Sequence, residues 1–167
     1  MQYVIVESVS AFNFAKQKIK KEDICWASTS PKVCNFFFVN KINYIEIEKL
    51  VTKKELKEIG KITKNICEAI ILESNIIFTK KKYIDLRFIA GAAIFKKIHT
   101  IIYKNYLLNK LLNKNKKNLI CVGNPSLLNE SSFIGIETFD NIFAFIGNYY
   151  KKNVKIIENK ENENLNK

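Results

Sequence analysis

A three-layer α/β/α sandwich of Rossmann-like type, with a mostly parallel five-stranded sheet in the order 3-2-1-4-5, is the fold this sequence predicts. Three observations lead there. Short apolar runs alternate with stretches of helical spacing along the chain, and strands separated by helices imply a parallel sheet covered on both faces. The runs also differ in kind. Tyr3–Val6, Ile24–Ala27 and Leu119–Val122 are continuously apolar, as central strands are, whereas Tyr44–Glu48 alternates and Val154–Ile157 is short, as edge strands are. Right-handed crossovers then place Tyr3–Val6 beside Leu119–Val122 in the middle of the sheet. A length of 167 residues suits one such domain, expected over 1–157.

The elements follow in order. After Tyr3–Val6, Ser10 is read as an N-cap before Ala11, Phe12, Phe14, Ala15 and Ile19, which share one helical face. After Ile24–Ala27, Ser30 followed by Pro31 is a helix opening, with the serine capping and the proline at the first helical position. The segment up to about Lys41 is then helical, although Phe36-Phe37-Phe38-Val39 is equally strand-prone. From Lys53 to Glu73, Leu56, Ile59, Ile62, Ile66, Ala69 and Ile70 keep an amphipathic helical spacing. A second long helical pattern runs from about Ile84 to Leu112, broadly apolar, with Lys97, Thr100 and Lys104 as an outward polar strip. Gly123-Asn124-Pro125-Ser126 ends the fourth strand. Phe139, Ile142, Phe143 and Ile146 mark the last helix, and Val154–Ile157 the last strand. Residues 158–167 hold only Glu, Asn, Lys and one Leu, the composition of a disordered tail.

Charge and composition narrow the function classes. The chain carries a net charge of +12, yet 27 of its 28 basic residues are lysine and Arg87 is the single arginine. Arginine is the preferred bidentate reader of phosphate and guanine, so sequence-specific DNA recognition is not expected. Residues 79–117 alone carry +10. Such a segment suits an anionic membrane surface or phosphates, or else is a solvated lysine face. No apolar stretch is long enough to span a bilayer, and the first residues lack a basic region of signal-peptide type, so a cytoplasmic location is expected, with the inner membrane face as an option. Cys25, Cys34, Cys67 and Cys121 form no C-x-x-C pair and are read as buried reduced thiols. With His99 as the only histidine, no metal site is expected.

In an open parallel sheet, ligands bind beyond the carboxyl ends of the strands, where the chain order reverses. Glu7, Ser8 and Ser10 follow the first strand, Ser28, Thr29 and Ser30 the second, and Gly123, Asn124 and Ser126 the fourth. Hydroxyls, an amide and a carboxylate suit a polyhydroxylated ligand, with Glu7 as the candidate general base. Ser10 and Ser30 are equally explained as caps, and Gly123-Asn124-Pro125 as a turn. The turn Glu7-Ser8-Val9-Ser10-Ala11 has no glycine, so neither the G-x-G-x-x-G fingerprint nor the G-x-x-x-x-G-K-[ST] loop is present, and G-x-S-x-G is absent too. No cofactor is expected.

Val4-Ile5-Val6-Glu7-Ser8, the Phe12–Lys20 helix and Ile24-Cys25-Trp26-Ala27-Ser28-Thr29-Ser30-Pro31 resemble the N-terminal half of bacterial surface-polysaccharide glycosyltransferases with two Rossmann-like domains, the GT-B arrangement. The resemblance extends loosely to Asn118–Gly123 and to Phe139–Ile157. It implies a domain facing an acceptor sugar or lipid-linked acceptor in polysaccharide or glycolipid biosynthesis. The nucleotide-sugar site would then belong to a partner domain or chain, and 79–117 would face the membrane. The alternative is a non-catalytic Rossmann-like binding or protein-interaction module.

Overall fold

The computed structural model describes residues 2–20, 23–78, 91–114, 119–123, 140–150 and 153–159. Five strands are present among them: β1 (Gln2–Ile5), β2 (Ile24–Ser28), β3 (Tyr44–Glu46), β4 (Leu119–Val122) and β5 (Val154–Ile157). The helices are α1 (Val9–Lys18), α2 (Pro31–Val39), α3 (Lys53–Phe78), α4 (Gly91–Lys114) and α5 (Asp140–Tyr149), with a 3-10 turn at Ile47–Leu50. The sheet is parallel throughout, in the order β3-β2-β1-β4-β5, as the sequence predicts. The chain forms two compact units: residues 1–50 with 105–167, which hold the whole sheet, and residues 51–104, which hold α3 and the first part of α4.

Pleating sends alternate strand residues to opposite faces. On one face, Val4, Val6, Trp26, Ile120 and Val122 pack with Ala11, Phe12 and Ala15 of α1 and Val33 and Phe37 of α2. The Phe12 ring meets Trp26 edge-on at 4.6 Å and Phe37 at 5.2 Å, the offset geometry that aromatic quadrupoles favour. On the other face, Gly147 of α5 lies so close to β4 and β5 that an added Cβ would stand 3.0 Å from Val154 and 3.5 Å from the Cys121 sulfur. Glycine is needed there for the approach of helix to sheet. Lys155, on the edge strand β5, is exposed.

Several boundaries differ from the sequence expectation. Alternation would carry β3 to Glu48, but the strand stops at Glu46, and the 3-10 turn places Ile47 at 0% exposure. The β-prone Phe36–Val39 is helical: Pro31 fixes the first turn, and the helical setting buries Val33, Cys34 and Phe37 together. α3 runs on to Phe78. The outward strip of Lys97, Thr100 and Lys104 is not found. Lys104 is only 4% exposed, while Phe95 and Ile101 are 39% and 42% exposed. The reason is helical register: Lys104 lies on the same row as the fully buried Leu107, Leu108 and Leu111, and a lysine stem is mostly methylene. Residues 84–90 of that helical pattern lie outside the described residues, as do 160–167 of the expected tail; Asn159 is buried.

α2 closes with a Schellman motif, in which Ile42 N donates to Phe37 O at 3.0 Å and Lys41 N to Phe38 O at 3.2 Å. The left-handed position is filled by Lys41 at φ 53°, where a side chain is strained. Lys41→Gly is therefore expected to stabilise the protein by roughly 1 kcal/mol, seen as a higher urea midpoint at unchanged m-value.

Candidate functional site

The carboxyl end of the sheet gathers most of the residues singled out above. The registers pair Ile5 with Ala27 and with Cys121, so Glu7, Thr29 and Gly123 come level just beyond the strand ends. Pairing continues past β1, with Val6 N donating to Ala27 O at 3.0 Å, and past β4, with Gly123 N donating to Ile157 O at 3.1 Å. The rim is thus an extension of the sheet.

Glu7 is its centre. The residue is 8% exposed. Its Oε1 accepts from the Ser28 hydroxyl at 3.1 Å and from Thr29 N at 2.7 Å, and its Oε2 accepts from the Thr29 hydroxyl. Ser28 is fully buried, and its oxygen also accepts from Ser30 N at 3.1 Å. These bonds join the end of β1 to the loop opening α2, and a buried carboxylate requires donors of this kind. With both oxygens engaged, Glu7 acts as a positioning residue for the β2–α2 loop. Its candidacy as general base therefore depends on a substrate hydroxyl competing with the Ser28 and Thr29 donors.

The serines sort differently from expectation. The cap of α1 is Ser8, which is extended (φ −138°, ψ 158°) and accepts from Ala11 N at 3.1 Å. Ser10 belongs to the first helical turn, is exposed, and lies 3.0 Å from the Ser8 hydroxyl. Ser30 does occupy the N-cap of α2 with Pro31 next, but its side chain makes no capping bond. Of the site candidates, Glu7, Ser28 and Gly123 are buried, Ser8 and Thr29 are half-buried, and Ser10 faces solvent. Asn124 and Ser126 lie outside the described residues.

Sulfur lies under this rim. The Cys34 thiol points at Ser28 O, 3.8 Å away. Burial, and then the nearby carboxylates of Glu46, Glu7 and Glu48, push its pKa up to about 11. Burial raises Cys121 further, and Cys25 and Cys67 are also shifted upward, chiefly by burial. All four thiols are free and buried. No group of three His, Cys, Asp or Glu that could hold a metal occurs among the described residues, and no helix there is long and apolar enough to cross a membrane. His99 sits between Phe95 and Tyr103 along α4, ring centroids 5.8 and 6.0 Å away.

One polar surface escaped the sequence reading. Asn105, Asn109 and Asn113 recur every fourth residue on α4. The Tyr150 hydroxyl donates to Asn105 Oδ1 at 2.8 Å and accepts from Asn109 Nδ2 at 3.0 Å, fixing both amides. Asn109 and Asn113 line a groove of about 490 Å³ with Leu50, Tyr106, Lys110 and Lys114. The four-residue asparagine spacing was the signal, hidden by a chain containing 20 asparagines.

Sheet order and rim position define a Rossmann-like α/β domain with its candidate site at the switch point. Comparison with family models, curated proteins and solved structures finds no match to this chain.

Three outcomes are expected. Glu7→Ala leaves the buried Ser28 hydroxyl and the Thr29 amide without their acceptor and should cost about 1–3 kcal/mol in urea unfolding, with Glu7→Gln milder. Iodoacetamide at pH 8 should leave all four thiols unmodified until denaturant is added. Because Cys34 ionises near 9.0 when unfolded and about 11 when folded, stability should fall as pH rises through that interval, where the unfolded chain binds fewer protons.

Proposed function

We propose that this chain is a carbohydrate-binding Rossmann-like unit, the acceptor-side domain of a glycosyltransferase of the two-domain arrangement, with the nucleotide-sugar site on a second domain or partner chain. The observation that carries the reading is the hydroxyl rim at the switch point: the Thr29 hydroxyl on the buried Glu7 carboxylate, and the Ser8 and Ser10 hydroxyls paired with each other just past the end of β1. Hydroxyls that both donate and accept match the hydroxyls of a sugar. The amides of Asn109 and Asn113 beside Tyr106 support the same ligand chemistry, since sugars are bound by amide hydrogen bonds and aromatic faces. The +10 charge of residues 79–117 supports an acceptor anchored in an anionic membrane surface.

A second reading, a non-catalytic ligand-binding or interaction module, is favoured by one observation. Both Glu7 oxygens are already engaged by Ser28 and Thr29.

Ligand-observed NMR against neutral hexose oligosaccharides tests the binding. Ser10→Ala, which removes an exposed hydroxyl, should weaken it roughly 2- to 10-fold, the worth of one hydrogen bond, without lowering the urea midpoint. Absence of binding at millimolar sugar would refute both the rim and the glycosyltransferase reading. The denatured mass of the endogenous polypeptide then separates the two readings. A value near twice 19.4 kDa supports the transferase, and a value of 19.4 kDa with no co-purifying chain supports the module.

A further inference from the structure

α3 shows two parallel rows of side chains, each advancing by four residues, with opposite environments. Ile59, Thr63 and Cys67 are buried, at 2%, 0% and 5% exposure. The adjacent row, Ile62, Ile66 and Ile70, is exposed at 50%, 39% and 37%. Isolated exposed apolar residues are ordinary, but three β-branched ones in a continuous helical row mark a contact surface.

The charges of α3 indicate what covers it. Residues 53–64 carry Lys53, Lys54, Lys57, Lys61 and Lys64 against Glu55 and Glu58, a net +3, whereas residues 65–78 carry Glu68 and Glu73 with no base, a net −2. This order opposes the helix macrodipole, which favours acids near the N-terminus and bases near the C-terminus. Only Glu55 serves the N-terminus directly, accepting from Thr52 N at 2.8 Å and from the Thr52 hydroxyl at 2.9 Å in a capping box. Within the single helix the Lys64–Glu68 pair at 3.6 Å, exposed on both sides, offsets little of this order, and Lys53, Lys54, Lys57 and Lys61 remain at the end the dipole disfavours for them.

A second α3 laid antiparallel removes the conflict. The +3 half of each helix then lies against the −2 half of the other, and the macrodipoles oppose. We infer that the Ile62–Ile66–Ile70 row is the docking face for α3 of a second copy of this chain, antiparallel about a twofold axis at Ile66. Ile66 then meets its own equivalent, Ile62 of one copy meets Ile70 of the other, and Lys61 faces the Glu68–Glu73 stretch. A twofold contact of this kind is self-complementary and closes at two copies. At about 39 Å, a 26-residue helix offers length for such a pairing. A parallel pair would set like charge on like, and an anionic bilayer would repel the acidic half of α3. The inference is independent of the carbohydrate reading.

Sedimentation equilibrium of the full chain should give about 39 kDa, twice the 19.4 kDa of one chain, and Ile66→Glu should return it to a single-chain mass. Geometry is read by cross-linking with a short bis-maleimide. Ile66→Cys should cross-link to itself, and a mixture of Ile62→Cys with Ile70→Cys should cross-link, but Ile62→Cys alone should not. If Ile66→Glu unfolds by circular dichroism, the cysteine variants decide. The inference is overturned by a single-chain mass at 100 μM protein, by self-cross-linking of Ile62→Cys, or by a chain that stays monomeric while binding phosphatidylglycerol vesicles through this row.

Discussion

A parallel sheet whose central strands are apolar on both faces exists only where both faces are covered, and much of this molecule follows from that requirement. β1 and β4 carry almost no polar side chain, so neither can turn a face to water. α1 and α2 cover one face by packing Phe12 and Phe37 against Trp26 of β2, and α5 covers the other closely enough to need Gly147. In the central strands, covering both faces confines exposed backbone and polar side chains to the strand ends. The candidate site lies at the carboxyl end because loops there are freed from packing while strands hold their first residues in place.

The buried carboxylate of Glu7 connects this packing to the rim. Its donors come from residues 21 and 22 positions later in the chain, so they can meet it only once β1 and β2 are in register. The rim is thereby assembled by sheet formation and not by the loop's own preferences. Ser28 illustrates the division of roles: fully buried, it donates to Glu7 and accepts from Ser30 N, while Thr29 and Ser30 beside it are half-buried.

Much of the fold was legible in the sequence because its signals were redundant. Continuous apolar runs, Pro31 at a helix start and three-to-four spacing all pointed the same way, and strand order followed from which runs were continuous. Errors fell where two local solutions were nearly equal. Ser8 and Ser10 are both capping residues, and the choice of Ser8 depends on Val9 opening the helix. Tyr44–Glu48 alternates as a strand should, yet burial of Ile47 turns the chain after Glu46. Lys104 was assigned by its charge, whereas its helical row decided its burial. At the site, the rim position of Glu7 was readable, but its engagement by Ser28 and Thr29 was not, because that depends on inter-strand register. The Asn105–Asn109–Asn113 ladder was hidden by the abundance of asparagine.

The two outer strands of the sheet have a consequence for coexistence with other copies in a crowded cell. An unpaired strand edge is a template for indefinite strand addition, the route to fibrous aggregates. Here one edge, β3, is three residues long and gives way at once to a 3-10 turn. The other, β5, holds an exposed lysine at Lys155, which an incoming strand would have to desolvate. Among the described residues the sheet therefore ends at five strands, and growth of the assembly along its hydrogen-bonding direction is disfavoured at each border.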